Sequence, residues 1–184
     1  MINEPYEKRD ILDLVGGDPT VEHWMRLARE ADPSAELFLN DFQILSDPSA
    51  QPVRARYYLE LIDKFKTNGV PIDGMGMQGH FSGELTPIDQ VTAGLDEFAQ
   101  RGIKIHIIEF DIATDDEQHQ ADYTREFFTA CYSHPAVEAV LFKGFWEGHF
   151  CRKKAHCFVR IGRSNPSVRH SSSGSTGTGK LKKR

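Results

Sequence analysis

Cysteine, tryptophan and long apolar runs are scarce in this 184-residue chain, and acid is missing altogether from residue 151 onward. Three cysteines, Cys131, Cys151 and Cys157, are an odd number and make no disulfide framework. No apolar stretch approaches the roughly 20 residues of a membrane span, so no membrane partner is expected. No basic start followed by an apolar segment marks a secretory leader. No glycine-rich phosphate loop follows any apolar segment, which counts against a nucleotide-binding sheet.

The charge that is present is divided unevenly. Residues 1–150 hold all 27 acids and 12 of the 22 lysines and arginines, a balance of −15, while residues 151–184 hold the other ten basic residues. Two regions follow: 1–150, with the composition of a globular domain, and 151–184, a basic tail. The tail ends in SSSGSTGTGKLKKR, a low-complexity run with nothing to bury and an expectation of disorder. His149, Cys151, His156 and Cys157 could supply four zinc ligands, and ten positive charges could bind nucleic acid. Their spacing, however, fits no zinc finger.

Within 1–150, short apolar segments alternate with amphipathic ones. Asp18-Pro19 opens a helix with Val21, Trp24, Met25 and Ala28 on one face; 35–41 reads as a strand and 57–69 as a helix closed by Gly69. Residues 72–81, IDGMGMQGHF, form a strand with close-packing glycines. Thr86-Pro87 starts a helix carrying Ile88, Val91, Leu95 and Phe98, which stops at Gly102. IKIHIIEFD (103–111) is the clearest strand, followed by a helix over 120–133 and a strand over 137–145. Strand ends fall near Glu4, Asn40, Gln78, Glu109 and Phe142, separated by 36, 38, 31 and 33 residues. Continuous apolar strands alternating with helices indicate a parallel α/β sheet. Polar residues gather where each strand finishes, namely Asn3-Glu4, Asn40-Asp41, Gln78 with His80, Glu109 with Asp111, and Trp146-Glu147, as at the rim of a (β/α)8 TIM barrel. Eight such units would come to about 280 residues. The five visible strands therefore correspond to strands 4 to 8 of a partial barrel, with three βα units expected before Met1. Such a piece is expected to be poorly soluble alone, because an unclosed barrel exposes two sheet edges.

The motifs MINEP, AREADPSAELFLNDF, GVPIDGMGMQGHF, GIKIHIIEFDI and GFWEG, in this order, resemble the C-terminal part of the family 10 glycoside hydrolases, the endo-β-1,4-xylanases. The resemblance implies a retaining enzyme that cleaves internal xylan bonds with two glutamates, without metal, nucleotide or other cofactor. It implies Glu4 as acid/base, Glu109 as nucleophile, and Asn3, Gln78, His80 and Trp146 as substrate-binding residues. It further implies xylan or xylo-oligosaccharides as the partner, no nucleic acid, a monomeric full-length form, and a secreted or periplasmic location. Glu147 is the rival carboxylate, and weak glycan binding without catalysis is the alternative. Three features depart from the family pattern. Ile108 stands where threonine is usual, and Lys143 stands where the family places a sugar-platform tryptophan. After residue 150, codons for CRKKAHCFVRIGRSNPSVRH read two bases out of phase can encode PEKGALFRADWAKQPVGAAL. That resembles the family's ending and makes the tail an expected frameshift product.

Overall fold

The computed structural model describes residues 2–7, 9–49 and 52–144. The elements run in the order β1 (Ile2–Asn3), α1 (Arg9–Leu14), α2 (Asp18–Ala31), β2 (Phe38–Asp41), α3 (Val53–Thr67), β3 (Gly74–Met77), β4 (His80–Ser82), α4 (Ile88–Ala99), β5 (Lys104–Ala113), α5 (Glu117–Ser133) and β6 (Val137–Phe142). Every strand pair is parallel. β1, β2, β3 and β5 follow one another across the sheet, while β4 and β6 both pair with β5. β3 and β4 are two pieces of one strand, interrupted at Gln78-Gly79, where Gly79 takes a φ of 75°. The arrangement is the partial α/β barrel that the alternation of segments leads one to expect.

Each face of the sheet has its own chemistry. Leu39, Met75, Met77, Ile105 and Ile107 are completely buried in the apolar core. Further along β5, Phe110 stacks on Phe127 of α5 at 4.6 Å between ring centroids and meets Phe128 and Phe142 edge-on. Burial of such rings is the main stabilising contribution here. On the other face Asn3, Asn40, Gly76 and His106 lie in register across four strands. That row admits little bulk: a Cβ on Gly76 would come within 2.7 Å of Asn40 Oδ1, and one on Gly74 within 2.2 Å of the Phe38 ring. The glycines of GMGM therefore let two strands approach around large side chains of β2.

Several boundaries differ from the sequence reading. α3 begins at Val53 rather than Tyr57, and the residue capping α2 is Gly17, with Asp18 and Pro19 inside the first turn. Trp24 is not on the buried face. Val21 and Met25 point inward, whereas Trp24, on the flank of that stripe, is 38% exposed. α1 was not assigned from sequence; only Leu12 of it is buried, and Ile11 and Leu14 face outward, so no apolar stripe announces it. Gly69 and Gly102 do end their helices with positive φ, at 61° and 63°. No helix among the described residues is long and apolar enough to cross a membrane.

Candidate active site

The site lies at the C-terminal ends of the strands. Glu4 follows β1 directly and adopts a φ of 52°, a left-handed conformation uncommon for a side chain with a Cβ. It is held there by its amide, which donates to Asn40 O at 2.7 Å, continuing the β1–β2 pairing one residue beyond the strand. Its carboxylate Oε1 accepts from Gln78 Nε2 at 2.8 Å. Asn40 is fully buried and donates through Nδ2 to Asn3 Oδ1.

A bulge in β5 sets the direction of Glu109. Met77 pairs with Ile107 and His80 with Asp111, so three steps on one strand match four on the other. On the opposite side Ile107 pairs with Val140 and Phe110 with Phe142, again leaving one extra residue on β5. In a regular strand Glu109 would share a side with Ile105 and Ile107 and would be driven into the helix layer. The extra residue reverses the alternation, so that Phe110 and Ile112 take the core side while Glu109 and Asp111 turn to the polar face. Backbone bonds fix this conformation: Glu109 N donates to Gln78 O at 3.0 Å and Asp111 N to Gly79 O at 3.1 Å.

Around Glu109 the side chains form a charged chain. His80 Nδ1 lies 2.9 Å from Asp111 Oδ2, and its Nε2 lies 3.4 Å from Glu109 Oε2. The contact with the fully buried Asp111 side chain orients the ring so that Nε2 points toward Glu109. Lys143 Nζ pairs with the same Glu109 Oε2. Gln78 therefore touches both glutamates, Glu4 through its amide group and Glu109 through its carbonyl. Trp146 and the rival Glu147 lie outside the described residues, as do His149, Cys151, His156 and Cys157.

Beneath Glu4, on the helix side, a second polar cluster was not foreseen from sequence. Arg54 of α3 bridges Asp41 at 3.1 Å and Glu7 at 3.0 Å, while its guanidinium lies 3.9 Å from the Phe42 ring centroid and 4.7 Å from that of Tyr6. The Tyr58 hydroxyl donates to Asp41 at 2.5 Å and accepts from Tyr6 N at 3.3 Å. Burial pushes the Tyr58 hydroxyl pKa well above its ordinary range, and the neighbouring Asp41 charge adds to the effect. This network ties the segment after Glu4 to β2 and α3. Only the polar Asp41 at a strand end hinted at it, because the side chains that bond to Asp41, Arg54 and Tyr58, are 13 and 17 residues away in sequence. Among the described residues no group of three or more His, Cys, Asp or Glu is disposed to hold a metal ion.

Residues 3–158 match the family model for glycosyl hydrolase family 10. The chain belongs to that family. Family 10 relatives agree along most of its length. Endo-1,4-beta-xylanase 1 of Arabidopsis thaliana is 34% identical over 146 residues, covering 78% of this chain and 15% of the relative. Among solved structures, the intracellular xylanase of Thermoanaerobacterium saccharolyticum superposes with a TM-score of 0.75 at 28% identity, over 86% of this chain and 50% of that one. Xylanase 10B of Thermotoga petrophila, solved with xylobiose, gives 0.71 at 29% identity, over 85% and 51%. This family 10 chain thus spans about half the length of the solved structures it matches. Two further structures of the Thermoanaerobacterium xylanase, with xylotetraose and with xylotriose, are of variants in which a glutamate is replaced by alanine. Those two glutamates stand 105 positions apart.

Proposed function

We propose that the chain carries the catalytic pair of a retaining endo-1,4-β-xylanase, with Glu109 as nucleophile and Glu4 as acid/base. The single observation that carries this reading is Gln78, which bonds to Glu4 through its side chain and to Glu109 through its main chain, so that two carboxylates from distant strands share one residue at one rim. Retaining cleavage needs such a pair about 5–5.5 Å apart, one ionised and one protonated. Glu4 and Glu109 are separated by 105 residues, as are the two glutamates replaced in the Thermoanaerobacterium xylanase.

In this mechanism Glu109 attacks the anomeric carbon of a xylosyl unit while Glu4 gives its proton to the departing oxygen. The xylosyl ester on Glu109 is then hydrolysed by a water that Glu4 deprotonates, and the product keeps its configuration. In this reading Asn3, whose Oδ1 accepts from Asn40 Nδ2, meets the sugar 2-hydroxyl. In the same reading His80 orients the nucleophile and contacts the same sugar, and Trp146 is a further substrate-binding residue. Binding of xylan or xylo-oligosaccharides, the class seen in the structures of its relatives, belongs to the same proposal.

The test assays the chain both as it stands and joined to the preceding strands of a full-length relative. Glu109→Gln should abolish turnover of every substrate. Glu4→Ala should still form the ester from an activated aryl xyloside, then stall until azide releases it as the β-azide. Azide rescue of Glu109→Gln to the β-product, or inversion detected by NMR, would contradict the assignment.

A further inference from the structure

Lys143 follows β6, and its amide donates to Phe110 O at 3.0 Å, which ties its backbone to the residue after Glu109. Its side chain is 41% exposed and its ammonium pairs with Glu109 Oε2, the oxygen that His80 Nε2 also approaches at 3.4 Å. A sugar that brings its anomeric carbon to Glu109 has to displace that ammonium. If the sugar is neutral, Lys143 gives up its counter-ion and gains nothing in return. If the sugar carries a carboxylate, the flexible stem lets the ammonium exchange one anion for another. Among the described residues, the other charged and titratable groups that face this point are His80, Glu109 itself, the fully buried Asp111 behind His80, and Glu4 held by Gln78. Those carboxylates oppose an anionic ligand, so the sign of the local preference turns on Lys143.

We infer that Lys143 is a specificity-determining residue that makes the position beside Glu109 select a sugar bearing a carboxylate, a uronic acid, over its neutral counterpart. The inference rests on the glycosidase reading given above. It also accounts for a cation at a position where the family resemblance places an aromatic platform. A ring face favours any sugar through its C–H surface, whereas an ammonium favours the one that brings an anion.

The test uses the full 184-residue chain carrying Glu4→Ala, so that bound sugar is not consumed, and calorimetric titration with four probes. Xylotetraose with a glucuronosyl branch is compared with xylotetraose, and cellotetraose oxidised to its uronate form with cellotetraose. The two pairs distinguish a carboxylate on a branch from one on the main-chain ring. At least one acidic probe should bind about fivefold more tightly than its neutral parent at low salt, an exposed ion pair's effect, and the advantage should shrink at about 1 M salt. Lys143→Met should remove the advantage and Lys143→Arg should keep it. The salt comparison on the unsubstituted Lys143 chain stands even if Lys143→Met fails to fold. If the neutral parents bind and neither acidic probe binds better, or if the advantage survives Lys143→Met, this inference falls while the glycosidase reading stands. If none of the four binds, both fall.

Discussion

Gln78 does at the residue scale what the two glutamates cannot do for themselves. Glu4 follows a strand of only two residues, in a backbone conformation that its side chain does not favour, and its carboxylate is oriented by one amide 74 positions away. Gln78→Ala should leave the Glu109 amide bond intact, because that bond uses the Gln78 carbonyl, and release only Glu4. A hydrogen bond to a charged group is worth about 1.5–3 kcal/mol, so kcat/KM on xylan should fall about ten- to hundredfold. An activated aryl xyloside, whose leaving group needs little proton donation, should be affected much less. Equal losses on both substrates would show that Gln78 does not act through Glu4. Glu4, Gln78, His80 and Glu109 were all legible in the sequence because polar residues there interrupt apolar strands. Arg54 was not, since a basic residue near the start of a helix reads as solvated until Asp41, Tyr6 and Phe42 close around it. Gly74 makes a complementary prediction about the floor of the site. Adding one methyl there meets the Phe38 ring at 2.2 Å, so Gly74→Ala should lower the denaturation midpoint by an amount corresponding to about 1–3 kcal/mol. An unchanged midpoint would mean that β2 and β3 are less closely packed than described.

At the scale of elements, β5 matters most, and its bulge could be found in the sequence. In IKIHIIEFDI the buried apolar residues fall on odd positions through Ile107 and on even positions from Phe110, and a change of phase inside a strand calls for an extra residue. Taken as one uninterrupted strand, the same segment would have turned Glu109 toward the helices. The register with both neighbours shows otherwise. α1 stayed hidden for the opposite reason, since it buries one leucine and has no periodic face. The sequence reading starts α5 at 120, three residues after its observed start at Glu117, because the signal there is a cap rather than an apolar residue. Asp116 accepts from Gln118 N at 3.0 Å and His119 N at 2.9 Å. Asp116→Ala should cost about 1 kcal/mol, read as a lower Tm, while Asp116→Asn or Asp116→Ser should cost less. Loss of equal size in all three variants would indicate that charge rather than capping is the cause. α5 supports Phe110 through Phe127 and Phe128, so weakening its start bears on the residue beside Glu109.

For the whole molecule, the core is rich in groups that ionise only at high pH. Burial, reinforced by Asp18, pushes the Tyr57 hydroxyl from its ordinary 10 up to about 12, and burial alone raises the Cys131 thiol from 9.0 to about 12. Tyr58 and Tyr123 are raised further, chiefly by burial. Each group holds its proton more firmly folded than unfolded, so its contribution is complete below the unfolded pKa and is lost as pH rises toward the folded one. Urea midpoints should therefore fall steadily between pH 9 and about 12, and Cys131→Ala should flatten the beginning of that decline. A midpoint independent of pH across this range would contradict the burial described for these residues. The parallel order of strands was legible at this scale from continuous apolar strands alternating with helices, and the rim position of the described polar residues from where each strand ends. What spacing could not supply was which carboxylate faces which neighbour.

If Glu109, turned to the polar face by the bulge in β5, is the proposed nucleophile, its carboxylate oxygen forms an ester with the anomeric carbon of the sugar. Incubation with an activated 2-deoxy-2-fluoro-xylobioside, which slows release of that ester, followed by mass spectrometry of peptides, locates the adduct. One added fluoroxylobiosyl group is expected on the peptide containing IIEFD, assigned by fragmentation to Glu109 and absent in Glu109→Gln. The same adduct on Glu4, on Glu147 or on Asp111, with Glu109 unmodified, would contradict it.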